Sequence, residues 1–133
     1  MCDINAGLLG ALGVVSAYVH RLKTGALISA SVQLGALSAR AEPAIRDALA
    51  RYAQCIGLSF QVQDDILDVI GDSRVTGKTQ GSDQALNKPT YVSLLGLDGA
   101  IGKTQELTRQ AVAELQDFGD DARMLRELAH YIV

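Results

Sequence analysis

From Leu8 to Leu37 apolar positions are dense and interleaved with Gly, Ala and Ser. That mixture lets helix backbones approach closely in a buried layer, so the stretch predicts a core helix pair or one long helix. The polar run Ser38 to Glu42 is a connection, and Pro43 suits the first turn of the next helix, where its missing N–H goes unneeded. The pattern carries that helix to about Ile70. Gly71, Gly77 and Gly81 then fall among Asp, Ser, Thr and Lys residues, so Gly71 to Lys88 reads as a loop. Beyond it, Pro89 opens a short helix through Leu97, Asp98 caps another to about Phe118, and Asp120 or Asp121 starts a last one. Alternating β-branched residues are nearly absent. The expected fold is all-α, one helical bundle domain.

With 133 residues the chain is long enough for one domain with its own core. A net charge of −3 excludes general binding to nucleic acid or anionic membranes, which need a basic surface. The charge-free stretches Ile4 to Val19 and Thr24 to Ala39 are shorter than the roughly 18 apolar residues of a transmembrane span, and both contain Gly, Ser or Asn. No stable membrane span is expected. Asp3 stands where a secretory leader carries Lys or Arg, and Cys2 and Cys55 match no metal-ligand spacing. Both features point to a reducing, cytoplasmic setting.

The chemistry concentrates in residues 60 to 70, Phe-Gln-Val-Gln-Asp-Asp-Ile-Leu-Asp-Val-Ile. On a helix Gln61, Asp64, Asp65 and Asp68 fall within an arc of about 100°. Phe60, Val62, Ile66, Leu67, Val69 and Ile70 then cover the other side, so one wall is expected to be buried while three acids point together. No Lys or Arg lies between Arg51 and Arg74 to offset the repulsion. At 4 Å a like-charge pair is unfavourable by about 4 kcal/mol at an effective dielectric of 20. A positive partner is therefore expected. Hard oxygen ligands without nearby His or Cys favour Mg²⁺, or Mn²⁺, over zinc, and Mg²⁺ commonly combines one or two carboxylates with waters and substrate phosphates. The competing reading is an ordinary solvated acidic face.

Lys78 follows Gly77 and Lys88 precedes Pro89, so two cations lie in the expected loop beyond the acids. Lysines serve as point-charge partners for phosphate, and glycines let backbone approach an anion. A third candidate is Lys23 in His20-Arg21-Leu22-Lys23-Thr24-Gly25, where a basic patch and a glycine interrupt an apolar run. Gly25 marks either a close backbone approach or a break.

Together, Lys23-Thr24-Gly25, Phe60-Gln61-Val62-Gln63-Asp64-Asp65-Ile66-Leu67-Asp68, Gly77-Lys78-Thr79 and Asn87-Lys88-Pro89-Thr90-Tyr91 resemble motifs of the trans-prenyl diphosphate synthases, the bacterial farnesyl type above all. The resemblance implies the helical isoprenoid synthase fold and condensation of an allylic diphosphate with isopentenyl diphosphate, with Mg²⁺ as cofactor. It makes Asp64, Asp65 and Asp68 metal ligands, and sets Lys23, Lys78 and Lys88 on the substrate diphosphate. Thr24 and Gln61 take places facing the developing allylic cation. The family's first aspartate-rich motif has no counterpart before His20, so the chain resembles the C-terminal half of such an enzyme. Alone, that half is expected to be inactive, and a homo-oligomer or completion by another chain is expected to cover its apolar faces. The alternative is a non-catalytic helical dimerisation partner with a residual Mg²⁺–diphosphate site.

Overall fold

Residues 23–76 and 90–132 are described by the computed structural model, with side chains left out at 72–76. Among them there is helix and no strand. The first described helix, α1, occupies residues 23–38, and α2 is the long helix Pro43–Thr76. Helix α3 spans Tyr91–Glu114, a 3₁₀ segment covers Gln116–Ala122, and α4 is Arg123–Tyr131.

The turn between α1 and α2 closes with two reverse bonds, Ala41 N–H to the Ala36 carbonyl at 2.9 Å and Arg40 N–H to the Leu37 carbonyl at 3.0 Å. This is the Schellman pattern, and it requires a left-handed residue at the second donor. Arg40 takes that role at φ 54°, where glycine is usual. Pro43 is the first residue of α2, as its fixed φ favours.

Helix α2 runs on to Thr76, past the expected end near Ile70, so the first part of the expected loop from Gly71 to Lys88 is helical. One glycine in a helix is unfavourable by only about 1 kcal/mol, and no proline follows to stop it. The expected break after Leu97 instead falls at Gly96, whose φ of 73° and ψ of 168° lie in a region open to little but glycine. Thr90, not Pro89, caps α3: its hydroxyl accepts from Ser93 N–H at 3.0 Å while Ser93 Oγ accepts from Thr90 N–H at 2.9 Å. The helix ends at Glu114, short of Phe118, and α4 begins at Arg123 after the 3₁₀ segment, later than either aspartate offered as a start.

Helix α3 lies antiparallel on α2. Arg51 Nε meets Glu114 Oε2 at 2.7 Å, and the Cys55 thiol points at Gln110 Oε1 at 4.0 Å. One core cluster joins Tyr52 and Ile56 to Ala111, Leu115, Ala122 and Ala129; a second joins Val62 and Ile66 to Ala100 and Leu107. The Tyr52 hydroxyl donates to the Leu125 carbonyl at 2.8 Å and ties α4's approach to the centre of α2. The apolar wall expected around the acidic block is only partly buried: Val62 and Ile66 are inside, whereas Phe60, Leu67 and Val69 are exposed. Helix α3 covers a narrower strip than the sequence suggested, and Asp65 lies within it, 2 % exposed.

Candidate functional site

Helix α1 approaches α2 through two glycines. A Cβ placed on Gly57 would lie 3.3 Å from the Gly25 Cα, tighter than most real contacts. Gly25 therefore marks a close approach and not a break. Further along, Gln33 Nε2 donates to the Arg46 carbonyl at 3.2 Å, which fixes the pair as antiparallel. Extending this register sets Lys23 level with Ser59, so Gln61 lies about 3 Å and Asp64 about 7.5 Å further along the α2 axis. The fold thus brings the start of α1 beside the acidic block. Lys23 is exposed there and Thr24 half-buried.

The three aspartates do not share one environment. Asp64 and Asp68, one turn apart, are exposed, and among the described residues neither has an ion-pair partner. Asp65 is buried, and its Oδ2 accepts from Tyr91 N–H at 2.8 Å. That amide is the first of α3, one of the donors a helix leaves unpaired at its start, and the helix dipole favours a carboxylate there. The break at Gly96 makes the contact possible. In the register set by the Arg51–Glu114 and Cys55–Gln110 contacts, a straight α3 would carry Tyr91 about 13 Å beyond Asp65. The kink turns the first turn back over α2 instead.

Gln61 is buried at 9 % exposure, and its Oε1 has no hydrogen-bond partner among the described residues. Such an atom in a folded protein calls for a reason. Ser59 Oγ, half a turn earlier, is likewise buried without one. No group of three or more His, Cys, Asp or Glu stands at metal-holding geometry among the described residues, and Asp65 is buried against the start of α3. Lys78 and Lys88 lie outside the described residues. Sequence reasoning missed Gly57, whose signal was its place one turn before Gln61 on a helix facing another glycine-bearing helix. It also missed the split between Asp64 and Asp65; the Thr90-x-x-Ser93 spacing was the available sign of a capped helix start.

The fold is the all-helical isoprenoid synthase fold, and in it two antiparallel helices bring a Lys-Thr pair near a buried glutamine and an acidic face. The chain belongs to the polyprenyl synthetase family, whose model matches residues 16–131. It is 51 % identical over 123 residues to the farnesyl diphosphate synthase of Escherichia coli, covering 86 % of this chain and 40 % of the relative. The farnesyl diphosphate synthase of Haemophilus influenzae is 45 % identical over 117 residues, covering 86 % and 39 %. Among solved structures, an FPP/GFPP synthase of Zymomonas mobilis in its apo form is similar with a TM-score of 0.70 at 42 % identity, covering 84 % of this chain and 35 % of that one. The chain spans about two fifths of the length of the curated relatives it matches.

Proposed function

We propose that this chain carries the allylic-diphosphate side of a prenyltransferase that condenses an allylic diphosphate with isopentenyl diphosphate. The observation that carries the reading is the start of α1, with Lys23 about 3 Å along the helix axis from the buried Gln61, about one and a half turns from Asp64 and about two and a half from Asp68. The relatives named as farnesyl diphosphate synthases support it.

Asp64 and Asp68 fit Mg²⁺, or Mn²⁺, in its usual mode: hard oxygens, exposed, and without a cation partner among the described residues, leaving room for water and phosphate oxygens. Bound there, the ion supplies positive charge to a departing diphosphate. Asp65 belongs to the same acidic motif, but its Oδ2 holds the Tyr91 amide, so its contribution is chiefly to position α3 beside the site. Lys23 offers an ammonium to the same phosphate oxygens, and Lys78 and Lys88 are assigned the same task. The Gln61 carbonyl oxygen, unpaired and screened from water, presents a fixed dipole to the positive charge that develops as the diphosphate leaves. Thr24, half-buried and about 4.5 Å from Gln61 along the helix axis in the same register, adds a second dipole. The cation so formed must be kept from water.

The chain is joined to the part of the E. coli relative it does not match, and condensation of dimethylallyl or geranyl diphosphate with isopentenyl diphosphate is followed. Asp64→Ala is expected to lower the rate about 100-fold or more. An undiminished rate removes the assigned role. The exposed Phe60 and Leu67 favour a second reading, a non-catalytic half-domain that completes another polypeptide and retains Mg²⁺–diphosphate affinity. Binding of inorganic pyrophosphate that depends on Mg²⁺, without turnover in the joined protein, selects it.

A further inference from the structure

One glycine among the described residues sets how closely two helices meet. A Cβ on Gly57 would stand 3.3 Å from the Gly25 Cα and 3.6 Å from the Gly25 carbonyl oxygen, both of them backbone atoms of another helix. No rotamer change can make room there, so α1 itself has to move. The other described glycines differ. A Cβ on Gly25, Gly35, Gly71 or Gly102 meets nothing within 4 Å, and on Gly99 it meets only a side-chain atom of Leu95 on the same helix.

The contact lies beside the site on both helices. Gly57 is four residues before the buried Gln61, whose Oε1 lacks a partner among the described residues, and Gly25 directly follows Thr24. The far end of α1 is held in another way, by Gln33 Nε2 donating to the Arg46 carbonyl at 3.2 Å and by the turn that leads into α2. Between the two, Ile28 packs on the core cluster of Tyr52 and Ile56, a side-chain contact that yields more readily than backbone. Helix α1 is thus a lever about Gln33, with Gly25 about 12 Å and Lys23 about 15 Å along it. Carbon atoms rest about 3.5–4.0 Å apart, so a methyl on residue 57, placed 3.3 Å from Gly25, pushes that end outward by about 0.2–0.7 Å. At Lys23 the displacement is about a quarter larger. Reacting groups work when held within about 0.5 Å of their productive geometry, so the shift is large enough to matter.

We propose that Gly57 is a positioning residue for prenyl transfer: by letting the backbone of α1 down onto α2 it sets the distance from Lys23 and Thr24 to Gln61 and to the departing diphosphate. The inference rests on the reading of this site given above. Its consequence falls on the chemical step, and not on capture of isopentenyl diphosphate, to which no residue of this chain is assigned.

The chimaera used to follow condensation is compared with its Gly57→Ala, Gly57→Val and Gly35→Ala variants, the last of which adds a methyl to α1 in open space. The kcat is expected to fall about tenfold with alanine and about 100-fold or more with valine, and to be unchanged in Gly35→Ala. The KM for isopentenyl diphosphate is expected to stay within about twofold throughout. Alanine is the better helix former, so melting is not expected to fall in step with kcat. A merely structural role is separated by repeating Gly57→Ala in a Lys23→Ala/Thr24→Ala background: with the displaced groups gone, the further loss is expected to shrink below about threefold. Equal losses in the two backgrounds, or a kcat that Gly57→Ala leaves intact in a chimaera that Asp64→Ala disables, overturn the inference and leave the reading of the site standing. Should Gly57→Val not fold, Gly57→Ala and the two backgrounds decide. No product from the unsubstituted chimaera removes the reading and the inference together.

Discussion

Asp64 and Asp65 are neighbours in the chain but serve different parts of the protein. Asp65 satisfies the first amide of α3 from within the core, so its removal strands a donor that water does not easily reach. Asp65→Ala is expected to lower unfolding stability by about 1.5–3 kcal/mol, while exposed Asp64→Ala changes it by no more than about 0.5 kcal/mol, measured by urea titration. Equal effects count against the anchoring role. Tyr52 gives a second contrast, in pH. Burial pushes its hydroxyl from 10.0 up to about 12. The folded state holds the neutral phenol while the unfolded chain ionises near pH 10, so the stability this group contributes is intact below pH 10 and is lost as pH climbs toward 12. Urea midpoints taken from pH 9 to 11.5 are expected to fall more steeply for the wild type than for Tyr52→Phe. Parallel curves would contradict the burial effect.

At the scale of elements, backbone geometry decides where helices end. Arg40 sits at φ 54°, which is unfavourable by about 1 kcal/mol for a residue with a Cβ. Arg40→Gly is therefore expected to stabilise the α1–α2 turn by about 0.5–1 kcal/mol, read from the thermal midpoint. At Gly96 the sign reverses, because its φ and ψ suit glycine alone. Gly96→Ala is expected to reduce stability by about 1–3 kcal/mol and to loosen the Tyr91–Asp65 contact. If Gly96→Ala is neutral, the kink does not constrain the first turn of α3.

Over the whole molecule, the all-helical architecture, the connection before Pro43 and the place of the acidic block on a long helix were legible in the sequence, because apolar periodicity and proline act locally. The division of the acids was not legible. A helical wheel places Asp64, Asp65 and Asp68 in one arc but does not say where a second helix crosses it, and α3 cuts that arc between Asp64 and Asp65. The Gly25–Gly57 approach was half legible: Gly25 stood out in its apolar run, while Gly57 needed the antiparallel register to give it a partner. Among the described residues no helix is long and apolar enough to cross a membrane; the charge-free stretch Ile4 to Val19 lies outside them. Apolar side chains remain outside all the same, from Leu27 on α1 to Tyr131 on α4. Alone, the chain is expected to self-associate with rising concentration and to show negligible prenyl transfer. A strictly monomeric, turning-over chain contradicts both expectations.

The bond from Tyr91 N–H to Asp65 has a spectroscopic corollary. Opening amides of helices usually trade their protons with solvent fast, whereas this one is tethered to a carboxylate next door to the proposed ion ligand Asp64. In a nitrogen-15 spectrum the Tyr91 resonance should act as a resident reporter, slow to exchange and shifting when divalent ions are titrated in, with no label or probe attached.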